Sequence, residues 1–229
     1  MNNLRKVGHG GWSPKLLGAS LVLWLDAGDP STLFQDTGFT VPTVNDGDPV
    51  GGWKDKSGAG NHATQATAGQ RPLLKFVSGR RRIRFDNVDD NMSTALSLTG
   101  GSALVAVGNA NSSANNRILN STTVNAMVAF DRSSAIYAFA GTIISSSTPL
   151  DLNKHVAVVT KAAAGNWAAY LDGTNVTTAN TATDWGTVVM GFVGTFAEAS
   201  NSDVAAILGI NRVLTAAEIV SISNWGKGL

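Results

Sequence analysis

The chain has 229 residues, of which 43% are apolar and 14% charged, and this composition supports a buried core and argues against disorder. Its formal net charge is +1 and no basic stripe interleaves with aromatic residues, which argues against nucleic acid as a partner. There is no cysteine, so disulfides, thiolate metal sites and a cysteine nucleophile are excluded, and folding in a reducing cytoplasm is expected.

Residues 1–20 predict an extended, glycine-rich arm, and a frayed terminus is the open alternative. The arm lacks the apolar run of a secretory leader, and no stretch of the chain is apolar enough to span a membrane, so we expect neither secretion by that route nor membrane insertion. Arg5, Lys6, Trp12 and Lys15 make the arm a candidate anchor to a partner surface.

Residues 21–229 read as one all-β domain. The run at 21–25 is apolar throughout, as expected of a strand covered on both faces. Around Ile83 and Phe85 apolar and polar residues alternate, which predicts that these two face the core while Arg82 and Arg84 face water, and that the arginine run at 80–82 lies on a solvated strand edge.

The remaining strands follow from short apolar runs between polar turns. They are predicted at 103–107, 126–130, 136–140, 155–159, 167–171, 188–193 and 204–210. Asp172-Gly173 signals a hairpin, and Thr215 with Glu218 forms a capping box that opens a short C-terminal helix. We therefore predict a two-sheet antiparallel β-sandwich of the jelly-roll kind with one short helix.

Four side chains sit at apolar-facing positions within these strand patterns and are predicted to be buried. They are Trp24, Phe85, Tyr170 and Ile207.

Four stretches carry a family resemblance. They are LWLDAGDP at 23–30 with WKDKSGAGNHA at 53–63, IRFDNVDDNM at 83–92, HVAVV at 155–159 with YLDG at 170–173, and DVAAIL at 203–208 with NRVLTAAEI at 211–219. In this order they resemble the concanavalin A-like lectin/glucanase superfamily, in its laminin G-like bacterial and phage branch. The resemblance implies a concanavalin A-like sandwich but leaves function open, because that sandwich serves lectins, glycosidases, adhesins and virion proteins.

The chain departs from that pattern where an acidic residue is usual near its end. Ala205 and Ala206 stand in that place. Glycosidases of this fold need paired carboxylates, yet neither Glu198 nor Glu218 has a carboxylate two residues on, and Glu218 is better explained by the helix cap. The three histidines have no zinc-binding spacing. We therefore expect no enzymatic activity.

The sequence contains candidate residues for two kinds of ligand site, one for calcium and one for a sugar. Asp86, Asp89 and Asp90 are spaced as calcium ligands could be, but the favoured interpretation is that they cap turns, so we expect no cofactor and keep calcium as the runner-up. A sugar would require an exposed aromatic ring beside polar groups. The candidate rings are Trp53, Trp167 and Trp185.

A fold that usually works outside cells, on a chain without cysteine or a recognisable leader, suggests a phage virion protein assembled in the host cytoplasm. The hypothesis is a non-enzymatic head-decoration, tail or baseplate module, oligomeric, that contacts copies of itself and other virion proteins and binds host-surface glycans. The alternative is a free lectin or adhesin domain of a bacterial surface protein.

Overall fold

The computed structural model describes residues 11–112, 116–121, 126–131, 136–140, 143–146, 151–162, 166–180, 186–190 and 200–229. In chain order its strands are β1 (Leu21–Asp26), β2 (Leu33–Phe34), β3 (Gly52–Trp53), β4 (Ala63–Thr64), β5 (Leu73–Val77), β6 (Arg80–Asp86), β7 (Met92–Leu98), β8 (Ser102–Ala110), β9 (Arg117–Ser121), β10 (Ala126–Asp131), β11 (Ile136–Ala140), β12 (Ile143–Ser146), β13 (His155–Lys161), β14 (Trp167–Leu171), β15 (Thr174–Asn175), β16 (Gly186–Met190) and β17 (Asn201–Ile210). The helix α1 spans Ala216–Lys227.

The strands form two antiparallel sheets. The first sheet has the order β15-β14-β13-β8-β17-β6-β5. On one side of β17, its first half pairs with β6 and its second half pairs with β1. The second sheet has the order β12-β11-β10-β9-β16-β7-β4-β3-β2. These two sheets, with one C-terminal helix, confirm the predicted all-β sandwich.

The main core lies between the sheets. Leu25 and Phe85 from the first sheet and Trp53, Met92 and Leu96 from the second belong to one cluster of buried side chains. Because side chains point alternately to the two faces of a pleated strand, every second side chain of a strand points into this layer.

A second apolar layer covers the outer face of the first sheet. Along β8, Leu104 and Ala106 belong to the main core, whereas Val105 and Val107 belong to the outer cluster. The central strands are therefore buried on both faces, which explains why their sequences are apolar without interruption.

Helix α1 is part of this outer layer. Thr215 caps its first turn, since the Thr215 hydroxyl accepts from the Glu218 amide and the Glu218 carboxylate accepts from the Thr215 amide, which confirms the predicted capping box. Near its end, a Cβ on Gly226 would lie 2.7 Å from a methyl of Val156 on β13. Glycine at this position therefore lets the helix lie directly on the sheet. Among the described residues no helix is long and apolar enough to cross a membrane.

The segment before β1 differs from the predicted arm. Pro14–Ser20 forms 3₁₀ turns with Leu17 only 4% exposed, and Leu17 and Trp12 join the outer cluster beneath α1. The side chain of Arg212 also donates to the Ser20 hydroxyl at 2.9 Å. The prediction of an extended arm is therefore wrong for residues 11–20, because their apolar side chains find cover on this face. Residues 1–10, with Arg5 and Lys6, lie outside the described part.

Most predicted strands match the structure closely. The hairpin at Asp172 and Gly173 is present, with φ of +53° and +91°, values that favour glycine and aspartate over bulkier residues. Trp24, Phe85 and Ile207 are buried as predicted, but Tyr170 is half-buried, because its side of β14 meets the outer layer near the edge of the sheet.

The arginines of β6 differ from expectation in part. The arginine run at 80–82 pairs with β5 alone among the described strands, so this run is open on one side as predicted, whereas the rest of the strand also pairs with β17. Arg82 is only 7% exposed and donates to the main-chain oxygen of Leu229, while Arg84 makes a bidentate pair with Asp203 at 2.7 Å. The prediction that both arginines face water is therefore wrong for Arg82, which residues distant in sequence cover, whereas the Arg84 side chain is 38% exposed.

Candidate functional site

An open cleft of about 630 Å³ lies beside the C-terminal end of α1. Two tryptophans, Trp12 and Trp225, stand on it with ring centroids 6.0 Å apart and planes inclined at 58°. The other described residues that line the cleft are Ser221, Asn224, Lys227, Gly228 and Leu229. We call this feature the tryptophan cleft.

Two local structures position the rings. On α1, Trp225 follows Ile219 and Ile222 at intervals of three residues, so it lies at the margin of the buried stripe. Trp12 precedes the 3₁₀ segment, which is held by the buried Pro14 and Leu17. Both rings are partly exposed and partly packed against the outer cluster.

The sequence pattern does not predict this cleft. Trp225 was not a candidate, although its spacing from Ile219 and Ile222 would have placed it on the margin of the helix face. Trp12 was assigned to a partner-binding arm, but its ring lies against Trp225 of the same chain. Lys15 is exposed, and its proposed anchoring role stays a prediction.

Two of the three tryptophans predicted to bind sugar are buried. Trp53 is 0% exposed and Trp167 2% exposed, so neither offers a ring face to a ligand, and this part of the prediction is wrong. Both face the core from their strands, where the space between the sheets accommodates the largest side chains. Trp185 lies outside the described residues.

The WKDKSG stretch of the family resemblance has a structural role around Asp55. One oxygen of this carboxylate accepts from the amides of Trp24 and Ser57 at 2.8 Å, and the other accepts from the Ser57 hydroxyl at 2.7 Å and the Asn61 amide at 3.0 Å. Asn61 in turn donates to the Val22 carbonyl. These contacts bind the loop to β1 and leave Asp55 only 9% exposed.

The histidine at the start of β13 also has a structural setting. The ring of His155 contacts Asp172 at 2.7 Å and Asp151 at 3.0 Å, and the hydrogen bond that the Asp172 carboxylate accepts raises the pKa of His155. Asp172 also accepts from the Val156 amide, and Lys227 donates to the Asp172 carbonyl. The group therefore connects the hairpin to the end of α1.

Glu218 is held by two partners. Besides the capping box, it forms a bidentate pair with Arg212 at 2.6 and 2.9 Å, and these bonds lower the pKa of Glu218 to about 2. A carboxylate held ionised in this way is a poor proton donor near neutral pH, as the helix-cap interpretation implied. Glu198 lies outside the described residues.

The three aspartates considered for calcium do come together. Carboxylate oxygens of Asp86, Asp89 and Asp90 lie within 4.8 Å of one another. However, Asp86 accepts from the Val88 amide at 2.8 Å and Asp90 accepts from the Asp86 amide at 3.0 Å. These are the turn-capping bonds of the favoured interpretation, so the absence of a calcium requirement stays a prediction.

Asp90 provides a test through pH. It is 5% exposed, and burial together with the Asp86 carboxylate raises the pKa of Asp90 from 3.8 to about 7. The folded state therefore holds this proton at pH values where the unfolded chain has released it. Its contribution to stability is complete below the unfolded pKa and is lost as pH rises through about 7.

We expect Asp90→Asn to raise the melting temperature at pH 8 by several degrees and by much less at pH 5. Comparison with the unchanged protein at each pH removes the contribution of His155, which titrates in both. Melting curves in calcium and in EDTA at pH 8 test the runner-up, a calcium site at these aspartates. An ion whose free concentration is one hundred times its dissociation constant adds about 2.7 kcal/mol to the free energy of unfolding. A calcium-induced rise that Asp90→Asn abolishes would make the three aspartates ligands.

Comparison with known proteins supports the fold. No family model and no curated protein matches the chain. Among solved structures, a Trypanosoma rangeli sialidase matches 91% of this chain over 33% of its own at 15% identity and a TM-score of 0.60. The binding domain of Paraclostridial Mosquitocidal Protein 1 matches 91% of this chain over 53% of its own at 9% identity and 0.59.

A third structure, a mutant GH54 α-L-arabinofuranosidase soaked with 4-nitrophenyl α-L-arabinofuranoside, matches 93% of this chain over 66% of its own at 12% identity and a TM-score of 0.63. This chain therefore spans about a third of the length of the sialidase. At such identities the likeness establishes a β-sandwich like those within sialidase and glycosidase structures, and leaves function to be argued from the site.

Proposed function

We propose that this chain is a non-catalytic binding module that takes a saccharide in the tryptophan cleft. The observation that carries the proposal is the pair formed by Trp12 and Trp225, two partly exposed rings 6.0 Å apart on one open cleft. Sugar rings present C–H faces that stack on aromatic rings, so an inclined pair can hold one sugar or two successive ones.

The polar lining suits the same ligand. Asn224 and Lys227 are exposed and Ser221 is partly exposed, so amide, ammonium and hydroxyl groups surround the rings. Sugar hydroxyls need both donors and acceptors, and Asn and Ser side chains supply both. Two of the solved neighbours, a sialidase and an arabinofuranosidase, are enzymes whose substrates contain sugars, which adds support of a general kind.

The non-catalytic part of the proposal rests on what the carboxylates do. Asp55, Asp203 and Glu218 are each engaged by hydrogen-bond donors that hold the fold together. Glycoside hydrolysis requires two carboxyl groups poised on either side of one bond, one of them protonated. Asp86, Asp89 and Asp90 lie close together and the pKa of Asp90 is raised to about 7, but none of the three lines the tryptophan cleft. Measurement of reducing-sugar release from a polysaccharide panel tests this part, and sustained release would refute it.

The binding test is affinity electrophoresis through gels containing dextran, mannan, galactan or polygalacturonate. We expect retardation by at least one polymer, and Trp12→Ala should weaken it about tenfold, the factor that corresponds to loss of one stacking contact. Trp225→Phe keeps a smaller ring and should weaken it by less. Phe76→Ala is the matched control, because Phe76 is 42% exposed on β5 and does not line the cleft. Melting curves of each variant verify folding.

Two outcomes would contradict the proposal. One is the absence of retardation by every polymer. The other is retardation that Trp12→Ala and Trp225→Phe leave unchanged, because binding would then occur elsewhere on the chain.

The hypothesis of a phage virion component stays a prediction beside this proposal, as does its alternative, a lectin or adhesin domain of a bacterial surface protein. Either setting is compatible with a saccharide-binding module. Mass spectrometry of purified particles separates them, because a virion component is present in every particle at fixed stoichiometry.

A further inference from the structure

A cluster of cations lies directly behind the tryptophan cleft. We call Arg80, Arg82 and Lys154 the basic cluster. Arg80 donates to the main-chain oxygens of Gly228 and Leu229, and Arg82 donates to that of Leu229 at 3.0 Å. Since Gly228 and Leu229 line the cleft, the cluster and the cleft share one wall.

Lys154 joins the cluster at the end of α1. Its ammonium donates to the Lys227 carbonyl at 2.8 Å, and Lys227 is an exposed residue that lines the cleft. Burial, followed by the charges of Arg82 and Arg80, lowers the pKa of Lys154 to about 8. The charge of each arginine acts on Lys154 more strongly than the opposing charge of Asp172.

The negative charge nearby does not balance these cations. The C-terminal end of a helix carries the equivalent of about half a negative charge. Even with one full negative charge added at the Leu229 oxygens, the three cations of the cluster exceed it. Of the neighbouring carboxylates, Asp26 pairs with Lys56 at 2.8 Å and Asp172 pairs with His155 at 2.7 Å.

There is also space beside the cluster. A cavity of about 130 Å³ lies against Leu229, lined by Arg80, Arg81, Arg82, Asp26, Gly28 and Ala205. A water molecule takes about 30 Å³ of liquid volume, so the cavity has room for a few waters or for one carboxylate or sulfate group.

We propose that the saccharide recognised by this module is anionic, with a carboxylate or sulfate ester directed to the basic cluster while a sugar ring stacks in the tryptophan cleft. The inference rests on the proposed saccharide-binding function and names the class of its ligand. Arginine binds such groups through paired N–H donors, and lysine adds a point charge. Stacking then selects a sugar, and the cluster selects an acidic one.

The experiment compares three polymers with one glucan backbone, namely dextran, carboxymethyl dextran and dextran sulfate, in affinity electrophoresis of the whole chain. We expect both acidic polymers, or one of them, to be retained at least tenfold more strongly than dextran. Arg80→Gln and Lys154→Gln should each weaken that retention about tenfold, as loss of one charged hydrogen bond implies. Preference for one acidic polymer identifies the anionic group.

Lys54→Gln is the charge-matched control, because Lys54 lies over the rings of Phe34 and Phe39, beside the second sheet, and does not line the cleft. If Lys54→Gln weakens retention as much as Lys154→Gln, attraction is unspecific and the inference is wrong. If dextran is retained as strongly as the acidic polymers and Trp12→Ala abolishes retention, the proposed function stands and the anionic specificity fails. If none of the three dextrans is retained, the anionic specificity fails, and the proposed function fails with it only if mannan, galactan and polygalacturonate are not retained either.

Discussion

Asp55→Ala should destabilise the domain by about 3 kcal/mol or more, although Asp55 touches no ligand in the proposed site. The side chain accepts four hydrogen bonds from Trp24, Ser57 and Asn61, and it is 9% exposed. Its removal leaves three amide donors without their acceptor, and each unsatisfied buried donor costs about 1 to 3 kcal/mol. Urea unfolding with an unchanged slope measures the loss.

A second variant and a control refine this result. Asp55→Asn keeps the shape but turns an amide N–H₂ toward a donor, so an intermediate loss is expected. Asp36→Ala is the control, since Asp36 also accepts from two amides and a hydroxyl, of Thr40 and Val41, in an exposed loop. There, water can replace the carboxylate. Equal losses for Asp55→Ala and Asp36→Ala would mean that Asp55 does not hold the loop to β1.

Phe85→Ala should cost about 3 to 5 kcal/mol, the usual range for truncation of a buried aromatic side chain. Phe85 lies on β6 with 1% exposure and faces the layer between the two sheets. The sheets are held apart by many side chains, so they cannot close fully around the space that the ring leaves. Thermal melting should show a loss of many degrees or no cooperative transition at all.

Phe76→Ala serves as the comparison for Phe85→Ala. Phe76 lies on the neighbouring strand β5 and is 42% exposed. The guanidinium carbon of Arg81 lies 5.2 Å from the centroid of its ring. Because water already reaches this ring, we expect a loss below about 1 kcal/mol. A shift of only a degree or two for Phe85→Ala would mean that the register of β6 is misassigned.

Sequence patterns predicted the elements whose signals are local. The strand at 136–140 and the strand at 167–171 agree with the structure residue for residue. The capping box at Thr215 and the hairpin at Asp172 were also predicted correctly, because each depends on hydrogen bonds or dihedral angles within a few residues.

The candidate site could not be predicted to the same degree. Trp53 was predicted to be a sugar-binding ring, yet it is fully buried in the main core. Arg82 was predicted to face water, yet its guanidinium donates to the main-chain oxygen of Leu229, 147 residues further along the chain. For Arg82 the strand was predicted correctly, and the error concerned which distant segment covers the side chain. For Trp53 the short strand β3 was itself not predicted.

The sequence by itself determined the class of fold, the positions of most strands and the C-terminal helix, because hydrophobic periodicity and turn chemistry act over a few neighbouring residues. The tertiary structure alone decided which tryptophans are exposed and where the positive charge collects. Trp12 meets Trp225 across more than two hundred residues, and Arg80 meets Leu229 across 149. Such contacts depend on how the sheets pair and what packs on their outer face, and these are properties of the whole assembly of strands.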